Sequence, residues 1–150
     1  MEIAIPALGF SIGCTNIPGV NYEKRTQKAE YWNAVLAAAE RRIADPFLFI
    51  GDFNTGKHRI DETGRTFHSA AKFRQLEESG WTDAWRHIHG AESEDTWYSR
   101  LKGGARGNGF RLDHAFVTPA LLPRIGRCWY SHEEREAGIS DHSILMVKVE

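Results

Sequence analysis

Apolar and polar residues alternate at both ends of the chain. Residues 2–15 place isoleucine, phenylalanine and cysteine at every second position, and residues 143–149 (SILMVKV) alternate in the same way. A period of two predicts strands that bury one face. We therefore expect a pair of strands within 2–15, bent near Pro6, and a strand that closes the chain at 143–149.

Two segments carry the spacing of an amphipathic helix. Residues 22–44 repeat apolar side chains at intervals of three and four, with charged residues on the other side, and Asn21 is a suitable N-cap. The predicted apolar face consists of Ala29, Trp32, Leu36, Ala39 and Ile43. A second helix is predicted over 67–79 (FHSAAKFRQLEES), where Gly80 would end it.

Further strands are predicted between and after these helices. They are residues 47–51, 96–99 (TWYS), 111–118 (RLDHAFVT) and 126–131 (GRCWYS). The sequence contains no repeat and no linker, so the 150 residues fit one domain. Strands separated by helices predict a layered α/β fold.

Composition excludes several classes of protein. With 41% hydrophobic and 26% charged residues the sequence is that of a globular domain, and no apolar run approaches the ~20 residues of a membrane span. The start, MEIAIPALGF, lacks the pattern of a secretory signal. Cys14 and Cys128 have no metal-type spacing, which favours a reducing, cytoplasmic location, although one disulfide stays an alternative.

The net charge of −1 gives no overall basic surface for nucleic acid. A local basic surface is still predicted, because four cations lie within one short segment: Arg100, Lys102, Arg106 and Arg111. The alternative for this segment is a solvated loop.

Polar residues that could carry chemistry lie at the ends of predicted strands, where α/β folds place their sites. Asp52 and Asn54 follow the strand in FLFIGDFNTG, and two oxygen ligands at such a point suit a hard metal ion or a phosphate site. Asp141 and His142 precede the last strand, and Asp113 begins another. The alternatives are a turn capped by its own side chains for the first two pairs, and a salt bridge for Asp113.

The motifs GDFN, WTDAWRHIHG, TWYS, GARGNGFRLDHAFV and GISDHSILMV occur in that order. Together they resemble the exonuclease III branch of the endonuclease/exonuclease/phosphatase (DNase I-like) superfamily, over roughly residues 10–149. The resemblance implies a layered α/β sandwich of two sheets with helices outside. It also implies a phosphodiester hydrolase that depends on Mg²⁺ or Mn²⁺ and acts on DNA, as an exonuclease III-like or apurinic-site nuclease. A phosphatase or lipid phosphodiesterase of the same superfamily is the alternative.

The resemblance also implies roles for five residues. Asp52 would orient or deprotonate the attacking water. Asn54 would bind metal or stabilise the transition state. Asp113 would orient the catalytic histidine, and Asp141 would bind metal. His142 would contact the scissile phosphate as a base or an electrostatic clamp. The metal ligands implied are thus Asp52, Asn54 and Asp141.

Four further positions match substrate-binding positions of the family. Tyr22 matches a tyrosine before the first helix. Trp97 and Phe110 match aromatic residues that line the pocket for a base-less sugar in repair enzymes, and Arg111 matches the arginine of the same motif. The alternatives are an aromatic residue at a helix start for Tyr22, core packing for Trp97 and Phe110, and a structural role for Arg111.

The sequence departs from the family pattern in its first half. The family's N-terminal asparagine and the glutamate that is a principal metal ligand have no counterpart here, so the resemblance covers the second half of the fold. We therefore expect weak Mg²⁺ binding and an uncovered apolar sheet face. A homodimer or a separate N-terminal half would cover that face. An inactive half-domain that only binds a partner is the competing function.

Overall fold

The computed structural model describes residues 1–19 and 25–150 of the chain. Within these residues the strands are β1 Glu2–Ile5, β2 Phe10–Asn16, β3 Phe47–Asp52, β4 Thr82–Asp83, β5 Trp97–Arg100, β6 Arg106–Phe110, β7 Asp113–Val117, β8 Ile125–Ser131 and β9 Ile144–Val149. The helices are α1 Arg25–Arg42, α2 Ala70–Glu78, α3 Ala84–His89 and α4 Glu133–Glu136.

A five-stranded sheet forms the centre of the fold, in the order β1-β2-β3-β7-β4. Strands β2 and β3 run parallel, and the other neighbours are antiparallel. The turn between β1 and β2 is a single 3₁₀ turn over Pro6–Leu8, and Gly9 follows it with φ 67°. Glycine adopts this left-handed conformation without steric cost, so the chain reverses here as predicted.

Helices α1 and α2 cover one face of the sheet. Trp32 of α1 and Phe73 of α2 pack with Phe49 and Trp81 in a core of fully buried aromatic rings. The apolar face of α1 is rotated from the predicted one. Its buried residues are Lys28, Trp32, Val35 and Ala39, and Ala29 is exposed.

The β8–β9 hairpin covers the other face of the sheet. Leu48 and Val117 of the sheet are buried against Cys128 and Tyr130 of the hairpin, which form the second core. This packing corrects the prediction of an uncovered sheet face only in part, because Ile3 of β1 pairs with Ile12 on the same face and keeps 47% of its accessible surface. Apolar side chains do stay exposed on the outer side of the hairpin, where Met146 keeps 40% of its accessible surface.

The predicted layered α/β fold is confirmed, and the long elements lie where the sequence places them. Helix α2 begins three residues later than predicted, because Glu62 accepts hydrogen bonds from the backbone of Thr66 and Phe67. The short elements β4, β6, α3 and α4 were not predicted. Among the described helices, none combines the length and apolar character that a bilayer span requires.

Candidate active site

One end of the central sheet brings two predicted residues together. Asp52 ends β3 and pairs in register with Asp113, the first residue of β7. On the other side Asp52 pairs with Asn16 of β2. Side chains directly opposite each other in an antiparallel pair lie about 4.5–5.5 Å apart at Cβ, so two carboxylates share this end of the sheet.

The GDFN turn holds its own shape through local contacts. Gly51 has φ 142°, and a side chain at this position would run into the backbone carbonyl of Thr15. Asn54 has φ 46°, and its backbone N–H donates to Asp52 Oδ1 at 2.7 Å. The Asn54 side-chain amide donates to the Ile17 carbonyl at 2.8 Å and also to Asp52 Oδ2. Asp52 and Asn54 therefore form one unit that the neighbouring strand fixes in place.

Burial raises the pKa of Asp52 to about 6, and the negative charge of Asp113 acts in the same direction. The Asn54 backbone N–H and the histidines at positions 114 and 142 oppose this rise. Asp52 is therefore a carboxylate that can exchange a proton close to neutral pH.

His142 is oriented by Asp113. Its Nδ1 lies 2.9 Å from Asp113 Oδ2, and the Thr96 hydroxyl donates to the same oxygen at 2.6 Å. The hydrogen bond to Asp113 raises the pKa of His142, against the opposing effect of burial. With Nδ1 engaged, Nε2 is the nitrogen left for a substrate.

Asp141 lies beside this group in a more exposed position. The Trp97 indole N–H donates to Asp141 Oδ2 at 3.3 Å, and Trp97 also pairs with His142 through the backbone. This contact joins the loop before β9 to strand β5. The structure thus places the five residues implied as catalytic or metal-binding at one end of the sheet.

Trp97 and Phe110 line a cavity of about 280 Å³ next to Asn54. Their ring centroids are 5.9 Å apart, and both side chains are only half-buried. Lys28 and Phe67 also contribute to the lining. The location is consistent with the substrate-binding role that the resemblance implies for Trp97 and Phe110.

Arg111 does not line this cavity, which corrects its prediction as a substrate-binding residue. Its side chain is 0% exposed and forms ion pairs with Asp61 at 2.8 Å and Asp83 at 2.6 Å. A substrate cannot reach a guanidinium group enclosed in this way, so Arg111 has a structural role. Tyr22, the fourth predicted substrate-binding residue, lies outside the described residues.

The side chains at this site fit a divalent cation by type. Asp52, Asp141 and the Asn54 amide offer the hard oxygen atoms that Mg²⁺ and Mn²⁺ prefer. Burial and, secondarily, the charge of Asp113 raise the pKa of Asp52, and a bound cation would oppose both effects. Across residues 1–19 and 25–150, however, no three His, Cys, Asp or Glu side chains are arranged as a metal cluster.

Two residues of the site were not predicted. Thr96 bonds Asp113, and Lys28 donates from Nζ to the Asn54 carbonyl at 2.5 Å. Burial lowers the pKa of Lys28 to about 8, although the charge of Asp52 partly offsets this effect. The sequence could have indicated that Lys28 is buried, because Lys28 lies four residues before Trp32 and therefore on the same, buried face of α1. A lysine on an apolar helix face indicates a buried partner.

Comparison with known proteins finds relatives over most of the chain. A family model described as "Endonuclease/Exonuclease/phosphatase family" matches residues 2–142. Exodeoxyribonucleases from two strains of Streptococcus pneumoniae are 26% identical to the chain over 141 residues. The match covers 85% of this chain and 50% of theirs, so the chain spans about half the length of these relatives.

Solved structures have the same fold. The 3′ phosphatase NExo from Neisseria, bound to product DNA hairpin, superposes with a TM-score of 0.79 at 19% identity. An AP endonuclease from Archaeoglobus fulgidus superposes with a TM-score of 0.78 at 24% identity. Each comparison covers 95% of this chain and 62% of the other. These likenesses establish the DNase I-like fold.

Proposed function

We propose that this chain, which belongs to the endonuclease/exonuclease/phosphatase family, is a divalent-metal-dependent phosphodiester hydrolase that acts on DNA. The observation that carries the proposal is the joint position of Asp52 and the Asp113–His142 pair at one end of the sheet. Hydrolysis of a phosphodiester needs a group that takes a proton from water and a group that stabilises charge on the phosphate. This end of the sheet provides both.

Asp52 is the group proposed to accept the proton. Its pKa of about 6 leaves the carboxylate ionised at neutral pH while keeping it basic enough to take a proton from water. Asn54 fixes the carboxylate orientation through its backbone N–H, which donates to Oδ1. The water oxygen would form the new bond to phosphorus, and the bond from phosphorus to the departing sugar oxygen would break.

His142 is proposed to act on the phosphate as a positively charged hydrogen-bond donor. Asp113 raises the pKa of His142, which favours the imidazolium form, and the pair directs Nε2 away from Asp113. A charged donor at this point would stabilise the negative charge that develops on the phosphoryl oxygens. We therefore propose an electrostatic role for His142 rather than a role as a base.

Asp52, Asn54 and Asp141 are the residues proposed to hold the metal. When bound there, Mg²⁺ or Mn²⁺ would supply Lewis-acid polarisation of the phosphoryl group. Trp97 and Phe110 are proposed to contact the sugar or base next to the scissile bond, since they line the cavity beside Asn54. An apurinic site in duplex DNA is the substrate proposed for this cavity, with repair of DNA as the biological role.

A DNA-cleavage assay tests the proposal. Duplex DNA with an abasic site is incubated with the protein and Mg²⁺ or Mn²⁺, with EDTA as the metal-free control. We expect cleavage that EDTA removes and that Asp52→Asn and His142→Ala each reduce by a factor of about 100 or more. Asp45→Asn and His87→Ala are matched controls, because both residues are exposed and neither belongs to the candidate site. Full activity in either site variant would contradict the catalytic assignment.

A binding module without catalysis is the second candidate. The described residues favour it in one respect, because they form no cluster of three His, Cys, Asp or Glu side chains for a metal. The same assay separates the two candidates when circular dichroism accompanies it. A folded wild-type protein that binds the abasic duplex but does not cleave it in the presence of Mg²⁺ or Mn²⁺ would support the binding module.

A further inference from the structure

A second cavity, strongly basic in character, lies between the loop that follows the GDFN turn and helix α2. Its volume is about 530 Å³. We call it the basic pocket, and its charged lining consists of Lys57, His58, Arg59, Arg65, Arg74 and Glu77. Four lysine and arginine side chains therefore face a single carboxylate.

The charge in the basic pocket is only partly neutralised. Lys57 pairs with Glu77 at 2.7 Å. In the described part of the chain, the ion pairs leave Arg59, Arg65 and Arg74 without a carboxylate. All three are exposed. Three free guanidinium groups around one concave surface are suited to a phosphate, which arginine binds through paired hydrogen bonds.

The loop that carries these arginines is held in a fixed conformation. The Lys57 backbone N–H donates to buried Asp61 at 2.7 Å, and the Thr66 backbone N–H donates to buried Glu62 at 2.8 Å. Between these two points Arg59 adopts φ 62°. A non-glycine residue in the left-handed region persists where its surroundings enforce it, and such positions concentrate at functional sites.

A row of aromatic rings connects the candidate active site to the basic pocket. From His142 the ring centroids lie 6.4 Å from Trp97, then 5.9 Å on to Phe110, 5.9 Å on to Phe67 and 6.1 Å on to His58. All five side chains are half-buried, so the row presents apolar ring surface to solvent. His58, at the end of the row, also lines the basic pocket.

We propose that the basic pocket binds a backbone phosphate of a single-stranded extension of the DNA whose scissile phosphodiester lies at Asp52 and His142. The unpaired bases between these two points lie along the aromatic row, since the ring surface suits any base and reads no hydrogen-bond pattern. The inference rests on the proposed function, because that function is the reason for assuming that DNA is the ligand. It adds the strand that is bound, its path and a phosphate site that is remote from the cleaved bond.

Binding measured without catalysis tests this inference independently of the proposed function. A fluorescein-labelled single-stranded oligodeoxynucleotide is titrated with protein that carries Asp52→Asn, in EDTA, and fluorescence anisotropy is recorded over a range of salt concentrations. The test protein additionally carries Arg59→Gln, Arg65→Gln and Arg74→Gln. The matched control carries Arg41→Gln, because Arg41 is an exposed arginine at the far end of α1.

The three substitutions are expected to weaken binding about tenfold at low salt and to reduce the slope of log affinity against log salt by about 0.7 to 1. Arg41→Gln should leave both quantities unchanged. A dinucleotide, too short to reach from the site to the basic pocket, should bind both proteins equally. Equal loss with the dinucleotide, or no loss with the long strand, would overturn the inference.

Two further measurements separate the outcomes that matter. Phe67→Leu removes a ring in the middle of the row and should weaken binding of the long strand. The affinity for fully paired duplex DNA should fall less than the affinity for the single strand when the three arginines are replaced. A greater sensitivity of the duplex would reject the single-stranded path. If cleavage fails in the wild type while these binding differences persist, the proposed function falls and the phosphate site stands.

Discussion

Asp52 illustrates at the scale of a residue how a site works against the stability of its fold. It is a partly buried carboxylate opposite a second carboxylate, and its pKa is raised to about 6 from an ordinary value near 3.8. A raised folded-state pKa means that the folded protein holds the proton more tightly than the unfolded chain. The folded state therefore loses stability as the pH rises from about 4 to about 6.

Asp52→Asn is accordingly expected to stabilise the protein while strongly reducing the proposed hydrolysis. Asparagine carries no charge to bury, so the free energy of unfolding should rise by roughly 1–2 kcal/mol at pH 8 and stay unchanged near pH 4. Urea denaturation in EDTA at the two pH values measures the difference. Asp45→Asn, at an exposed position before β3, should show no such dependence on pH. A loss of stability at pH 8 would show that the Asn54 hydrogen bonds outweigh the buried charge.

At the scale of elements, a buried ionic network joins the strands behind the site. Arg111 pairs with Asp61 of the loop after the GDFN turn and with Asp83 at the start of α3. Asp83 also contacts His114 of β7 at 3.1 Å, and the Tyr130 hydroxyl of β8 donates to the Asp113 carbonyl at 2.6 Å. Although burial alone would raise the pKa of Asp83, Arg111 and His114 bring it far below its usual range.

Arg111→Met is expected to destabilise the protein by about 3–5 kcal/mol at neutral pH, because buried Asp83 would lose its guanidinium partner and buried Asp61 would keep only Arg86. The loss should shrink on acidification, as Asp61 and Asp83 take up protons in the variant. Chemical denaturation at pH 7 and pH 4 checks both statements. Arg41→Met, on the exposed side of α1, is the control and should change stability by no more than about 0.5 kcal/mol.

If Arg111→Met fails to fold, Arg86→Met provides a milder version of the same test. Arg86 pairs with Asp61 from α3 and is less deeply buried, so a smaller loss is expected. An unchanged stability in both variants would contradict the structural assignment of Arg111.

The sequence predicted the elements whose pattern is long and regular, and it missed those whose cause is a tertiary contact. The strand at 47–51 and the alternation at 143–149 became β3 and β9. Strand β4 comprises only Thr82 and Asp83, and it exists because it pairs with β7. A two-residue strand has no period that a sequence can display.

The site shows the same division. Asp52, Asp113 and His142 stand at the ends of predicted strands, so their convergence followed from the order of elements and the family motif. The burial of Arg111 did not follow, because its partners Asp61 and Asp83 lie 50 and 28 residues away in sequence. The loop that contains Arg59 and Arg65 was not predicted as a site either. Charged residues in a loop are usually solvated, and the cavity forms only because α2 packs beside the loop.

At the scale of the whole molecule, the two cores on either side of the central sheet differ in what they contain. The first is built mainly from aromatic rings under α1 and α2, and the second from smaller residues under the β8–β9 hairpin. Cys128 lies fully buried in the second core, and its burial raises the pKa of the thiol to about 12. Cys14, on β2, is exposed.

Cysteine labelling should report whether the two cores unfold together. At pH 8 iodoacetamide is expected to modify Cys14 in the native protein and to leave Cys128 unmodified, because a buried and protonated thiol does not react. Peptide mass spectrometry after labelling across a urea series measures each site. Cys128 should become reactive at the same urea concentration at which the circular dichroism signal is lost. Earlier reaction would show that the hairpin detaches from the sheet before the rest unfolds.

Trp97 also has a consequence for how the site can be observed. Of the five tryptophans, Trp32, Trp81 and Trp85 are almost completely buried, whereas Trp97 and Trp129 are partly exposed, and Trp97 lies beside Asp141 and His142. Its indole N–H already contacts the Asp141 carboxylate, so a change of charge there alters the surroundings of the chromophore. The protein thus carries an intrinsic fluorophore at the candidate active site, and occupancy of that site can be followed by emission without a label.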